Sequence, residues 1–107
     1  MNESEIVAPD VQIEQTYVLK LYVAGDEVNS QLARENLKSI LDKYLKDRYQ
    51  LVEVDVLKDF TSALKDKVFV TPALVLERPE PRVMIVGNLG DRQKVVSILR
   101  LGIRYGT

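Results

Sequence analysis

Asp26 and Glu27 stand beside Asn29 and Ser30 just past a run of apolar residues, and here the chain gathers groups able to do chemistry. Two carboxylates can begin a site for a hard cation, but such ions take six or more oxygen ligands, and no further donors accompany this pair. A solvated turn is the simpler reading. Ser30 would need a neighbouring base to become a nucleophile, and the chain contains no histidine. Asn29 and Ser30 are therefore read as caps, their side-chain oxygens accepting orphan N–H groups at the start of a helix. Glu53 and Asp55 alternate on one face of a predicted strand, a geometry open to a carboxylate dyad. No matched acid and base accompanies them, and a wet strand face accounts for both. Gly87-Asn88-Leu89-Gly90 lacks the lysine and the spacing of a phosphate-binding loop. There is no cysteine, so disulfides, thiolate metal sites and dithiol exchange are all absent. The expectation is a protein without a catalytic, metal or cofactor site.

The elements that position these residues are legible from periodicity. Tyr17 to Val23 is almost continuously apolar, broken by Lys20, as in a central strand covered on both faces. Ala33, Leu37, Ile40, Leu41, Tyr44 and Leu45 recur at helical spacing, which predicts a helix over Gln31 to Lys46. Leu51 to Val56 alternates as a strand with one wetter face. A strand, a long helix and a second strand predict a right-handed parallel βαβ unit. Asp59 to Asp66 predicts a short helix with Phe60, Ala63 and Leu64 facing inward. Ala73 to Leu76 and Arg82 to Val86 are two further strands, separated by a turn in which Pro79 and Pro81 cannot donate to a ladder. A last helix starts near Asp91, with Val95, Val96, Ile98 and Leu99 on its buried side and Gly102-Ile103 continuing it.

Residues 1–15 mix acids, Pro9 and isolated aliphatics, and read as a mobile arm in which Val11 and Ile13 could add an edge strand. The domain is expected over residues 16–105. With 107 residues, 46% of them hydrophobic, one modest core is expected. A net charge of −1 argues against a nucleic-acid binder. No apolar run approaches the roughly 20 residues needed to span a bilayer, and the acidic start lacks the pattern of a secretory signal. A cytoplasmic protein is the expectation. Arg34, Lys38, Lys43, Lys46 and Arg48 are interleaved with Glu35, Asp42 and Asp47, which makes a soluble mixed face.

The order βαβαββα, with Thr71-Pro72 ahead of the third strand, is the skeleton of a thioredoxin-like α/β domain. In such domains the first strand-to-helix loop carries the redox cysteine pair, and here that loop holds Asp26, Glu27 and Asn29 instead. The blocks Thr16 to Gly25, Asn29-Ser30, Asp55-Val56-Leu57-Lys58, Thr71-Pro72-Ala73-Leu74 and Gly87-Asn88-Leu89 closely resemble the KaiB family. The resemblance runs over roughly Thr16 to Ile103 with its blocks in order.

That resemblance implies a non-enzymatic circadian-clock protein that binds the ATPase KaiC and then captures KaiA. It also implies two interconverting folds, an oligomeric βαββααβ ground state and a monomeric thioredoxin-like form, which share their structure to about Val56. It points to contact through Lys58 and Asp59 and around Thr71 and Pro72, and leaves two readings for the bond before Pro72, a cis peptide or a trans proline that starts an edge strand. Three departures accompany it. The chain stops at Tyr105-Gly106-Thr107 where clock-type members continue into an acidic tail, and it has Asn88 where they have Asp. It also has Ile98 and Arg100 where they commonly have a glycine and an acid. Ile and Arg are better helix formers, and a cation suits a helix C-terminus, so both are expected to favour the thioredoxin-like form. Competing expectations are a sensor module like the N-terminal domain of the kinase SasA and a thioredoxin-like stress-response protein that binds another partner. A redox enzyme is a third, and it lacks the cysteines its chemistry needs.

Overall fold

Alternation along the first strand decides how the sheet is dressed. In the computed structural model, which describes residues 16–102, Tyr17–Val23 forms β1, with Leu19, Leu21 and Val23 buried on one face and Lys20 and Tyr22 on the other. The arm expected over 1–15, its edge strand at Val11 and Ile13, and the end of the domain from Ile103 to Tyr105 lie outside the described residues.

Helix α1 (Val28–Tyr44) returns the chain to β2 (Tyr49–Asp55), which lies parallel to β1 in a register running from Tyr17 opposite Tyr49 to Val23 opposite Asp55. A short α2 (Phe60–Lys65) leads to β3 (Ala73–Arg78), antiparallel to β1, and then to β4 (Val83–Val86), antiparallel to β3. Helix α3 (Arg92–Ile98) is the last element among the described residues, and it stops before Gly102, where the sequence pattern predicts continuation, because Arg100 turns left-handed at φ 60°. The sheet order β2-β1-β3-β4 puts the two most apolar strands in the middle, where both faces need cover.

The faces are unequally filled. Ala33, Leu37, Ile40 and Leu41 of α1 pack with Leu19, Leu21, Val23, Leu74, Leu76 and Ile85 of the sheet and with Val95 and Leu99 at α3. Each fully buried leucine of this layer contributes about 1.5–3 kcal/mol relative to exposure. The opposite face is a smaller cluster of Tyr22, Ala63, Val68, Ala73 and Val75 beneath α2.

Several boundaries differ from the sequence expectation. Helix α1 begins three residues early because Glu27, rather than Asn29 or Ser30, is the cap, its carboxylate accepting the Ser30 N–H at 3.1 Å. It ends at Tyr44 because Lys46 turns left-handed at φ 50° and donates its N–H to the Leu41 carbonyl at 2.9 Å. Strand β2 starts at Tyr49, drawn in by the Tyr17 N–H donating to the Arg48 carbonyl at 3.0 Å, and stops at Asp55 rather than Val56. Strand β3 runs on to Arg78, and β4 begins at Val83, one residue after Arg82, whose guanidinium donates to the Asp66 carbonyl at 3.2 Å. The inward face expected for α2 is also corrected. Ala63 is buried, whereas Phe60 and Leu64 are exposed, since the ring of Tyr22 already fills the space below this short helix.

Candidate functional site

Strand direction collects one set of loops at a single end of the sheet. β1 and β2 are parallel and both finish there, β3 starts there with Ala73 opposite Tyr22, and β4 finishes there with Val86 opposite Ala73. The β1–α1 loop, Val56 to Asp59, Thr71-Pro72 and Gly87 to Gly90 therefore share this end. Asn88 ties the last of these loops to α1, its carbonyl accepting from Asn36 Nδ2 at 2.8 Å and its amide donating to Asn29 Oδ1 at 3.4 Å.

Ser30, Glu27 and Asp55 are engaged in holding the β1–α1 loop, whereas the exposed Asp26 lends it only its backbone carbonyl, which accepts from Gln31 Nε2 at 2.7 Å. Ser30 is fully buried, and its hydroxyl accepts the Ala24 N–H at 3.1 Å and faces Glu27 Oε1 at 3.4 Å. Asp55 Oδ1 accepts from the N–H groups of Gly25 at 3.1 Å and Leu57 at 3.0 Å. Gly25 sits at φ 53°, a left-handed conformation that glycine adopts without strain. Arg34 bridges this loop to β2, donating to the Gly25 carbonyl at 3.0 Å and pairing with Glu53 at 2.9 Å. The Glu53 bond holds the guanidinium pKa above its ordinary value, against the opposing effect of burial. Glu53 and Asp55 are thus occupied separately and form no dyad. Among the described residues no cluster of three or more His, Cys, Asp or Glu could hold a metal, and no helix is long and apolar enough to cross a membrane.

Lys58 and Asp59 are both exposed, directly after β2. Asp59 caps α2, accepting the Ser62 hydroxyl at 2.6 Å and the Ser62 N–H at 3.1 Å, and these bonds lower its pKa. The Thr71–Pro72 bond is cis, as are those before Pro79 and Pro81. Pro72 is buried and its carbonyl accepts the Gly87 N–H at 2.9 Å, while Thr71 is half-buried. Ile98 and Arg100 lie away from this group. Ile98 is the last helical residue, half-buried against the main core. Arg100 lies beyond the helix at φ 60°, so helix propensity does not apply to it. Its guanidinium donates to the carbonyls of Pro79 at 3.2 Å and Glu80 at 3.4 Å.

Sequence reasoning missed the most distinctive part of the surface. Leu57 is 74% exposed, Phe60 65% and Phe69 77%, with Leu64 and Val70 also outside, all between the end of β2 and Pro72. A helix of six residues cannot bury two large side chains as well as Ala63, and that excess of bulk over helix length was the available signal. Exposed clusters of large apolar side chains mark interaction surfaces.

A four-stranded mixed sheet with this order and a cis proline before β3 define a thioredoxin-like domain, one whose β1–α1 loop holds no cysteine pair. Solved structures agree on the fold. The N-terminal domain of Synechococcus elongatus SasA superposes with a TM-score of 0.65 at 24% identity, covering 85% of this chain and 90% of that one. The germline thioredoxin Deadhead of Drosophila melanogaster also reaches 0.65, at 17% identity over 91% of each chain. The KaiB domain model matches residues 20–101. The circadian clock oscillator protein KaiB of Rippkaea orientalis is 46% identical over 86 residues, covering 80% of this chain and 83% of its own. Its counterpart in Thermosynechococcus vestitus is 45% identical over 84 residues, 78% of each. The chain belongs to the KaiB family.

Proposed function

We propose that this protein is a clock regulator that acts by binding rather than catalysis, docking on a KaiC-like ATPase ring through the segment from Leu57 to Pro72. Kinship with proteins named circadian clock oscillator proteins supports the regulatory role. The observation that carries the docking surface is the exposure of Leu57, Phe60, Leu64, Phe69 and Val70 on one segment, next to a loop in which Ser30 and Asp55 are engaged in internal hydrogen bonds. Lys58 adds a cation at the edge of that apolar surface, and Asp59 and the Thr71-Pro72 turn set the two ends of the segment.

The thioredoxin-like form is the one that docks. A second arrangement, βαββααβ, competes with it in the free chain, and the ring shifts the population by its differential affinity for the two. Ile98, seated against the core, and Arg100, tied to the β3–β4 turn, tilt that balance toward the thioredoxin-like form. A KaiA-like protein is the expected third component, a dimer or tetramer the expected resting assembly, and the cytoplasm the expected compartment.

Size-exclusion chromatography with light scattering tests the reading on the free chain and on the chain mixed with a nucleotide-loaded, phosphomimetic KaiC-type hexamer. Co-elution with the ring, lost in Phe60→Ser and Phe69→Ser, is the expected result. Failure of the native chain to co-elute with the KaiC-type protein of its own genome would overturn it in favour of a different protein partner.

A further inference from the structure

The apolar surface is mounted on a segment with little hydrophobic attachment of its own. Within α2 only Ala63 is buried, and Val68 follows as the next inward residue. A polar contact replaces the missing apolar one. Asp66, directly after α2, turns its carboxylate toward the sheet, where Lys20 Nζ of β1 lies 3.2 Å away. The Tyr22 hydroxyl donates to the same carboxylate and also reaches the Ser62 carbonyl at 3.3 Å. Arg82, ahead of β4, sits 3.5 Å from the carboxylate and donates to the Asp66 carbonyl at 3.2 Å. Glu77 of β3 completes the group, 3.8 Å from Lys20 and 4.0 Å from Arg82. Burial raises the Asp66 pKa, but the Tyr22 and Lys20 bonds and the charges of Lys20 and Arg82 outweigh it and leave the carboxyl below its ordinary range. The phenol of Tyr22 is raised by burial first and by the Asp66 bond second.

One carboxylate thus joins the end of α2 to β1 and to the β3–β4 turn, in a place where apolar packing is thin. Segments with few buried apolar contacts open independently of the rest of a domain. We infer that Asp66 is a latch: its bonds to Tyr22, Lys20 and Arg82 hold residues 60–70 against the sheet, and breaking them releases that segment while β1, α1 and the main core stay folded. The latch rests on the structure alone; its consequence, that it positions the docking surface, rests on the reading under Proposed function. Asp66 is in this sense a positioning residue. Its carboxylate faces the sheet, and the side chains it positions face solvent.

Native-state hydrogen exchange on the full chain tests the latch without any partner. The N–H groups of Asp66, Lys67 and Val68 donate to Ser62, Leu64 and Ala63, so their exchange reports opening of the segment. Asp66→Asn and Tyr22→Phe keep side-chain size while weakening or deleting the bond, and each should speed exchange at these amides about 10- to 100-fold, the range for a hydrogen bond to a charged group. Ile40→Val, in the opposite layer, should speed exchange in β1 and leave amides 66–68 unchanged, because its packing survives opening of the segment. Unchanged exchange at 66–68 in Asp66→Asn and Tyr22→Phe would overturn the latch. Equal acceleration there by Ile40→Val would also overturn it, since the segment would then open only with the whole domain. Binding to the KaiC-type ring separates the two claims. Weakened binding in Asp66→Asn supports positioning, while native binding in Asp66→Asn beside lost binding in Phe60→Ser overturns positioning alone. A native chain that fails to bind defeats the docking reading and leaves the exchange result to decide the latch.

Discussion

Replacing Ser30 with alanine separates a structural loop from a chemical one. The Ser30 hydroxyl is fully buried and is the acceptor for the Ala24 N–H at 3.1 Å, at the point where β1 gives way to the α1 loop. Alanine removes the acceptor and supplies no replacement, leaving a backbone N–H unsatisfied, which costs about 1–3 kcal/mol. The weaker contact to Glu27 Oε1 at 3.4 Å is lost as well, while the Glu27 cap on the Ser30 N–H survives because it uses the backbone. Against this, alanine is the better helix former by about 0.5 kcal/mol at an interior position. The balance is a net loss of about 1–2 kcal/mol. A domain of this size shifts its Tm by about 4–8 °C per kcal/mol, so a drop on the order of 5–15 °C is expected. Urea unfolding of Ser30→Ala beside Glu35→Ala, an exposed site on the same helix, is the assay. The midpoint should fall for Ser30→Ala with the slope unchanged, and Glu35→Ala should stay within about 0.5 kcal/mol of the native chain. Equal stability for the two variants would refute the reasoning, because the buried hydroxyl would then satisfy nothing.

Three further outcomes follow from the same structure. Leu37→Ala, in the centre of the α1 layer, should cost about 2–5 kcal/mol in denaturant unfolding, because a fully buried leucine leaves a cavity. Phe60→Ser and Phe69→Ser should change stability by no more than about 0.5 kcal/mol, as both rings are exposed, while abolishing co-elution with a KaiC-type ring. Asp66, with its folded pKa below the ordinary carboxyl value, contributes stability that is complete above the unfolded pKa and disappears as pH falls through the folded one. The stability advantage of the native chain over Asp66→Asn should therefore be present near neutrality and shrink toward about pH 3, as read from urea midpoints at the two pH values.

Much of the architecture was readable because it rests on local pattern. The bounds of β1, the order of the seven elements and the cap at Asp91 all follow from alternation, helical spacing and short polar side chains. Lys20, the lone charge in an otherwise apolar strand, is explained by the polar contacts beneath α2. The errors fall where a residue's role depends on a distant partner. Ser30 looks like a cap in sequence, yet its hydroxyl serves the strand before it while Glu27 caps the helix. Arg100 looks like a helical residue at the dipole's negative end, yet it has already left the helix and binds the β3–β4 turn.

Composition by itself determined that no thiol or imidazole chemistry operates here, because the residues that would perform it are absent. Periodicity determined the elements, because 3.6- and 2-residue repeats must turn apolar faces toward a common interior. Tertiary structure alone decided which face of α2 is outside. The ring of Tyr22, some 40 residues earlier in the chain, occupies the space that Phe60 and Leu64 would otherwise take, and its hydroxyl draws Asp66 inward in their place. Such a competition for volume is invisible to local pattern, since it depends on which distant side chain the tertiary fold brings to the site.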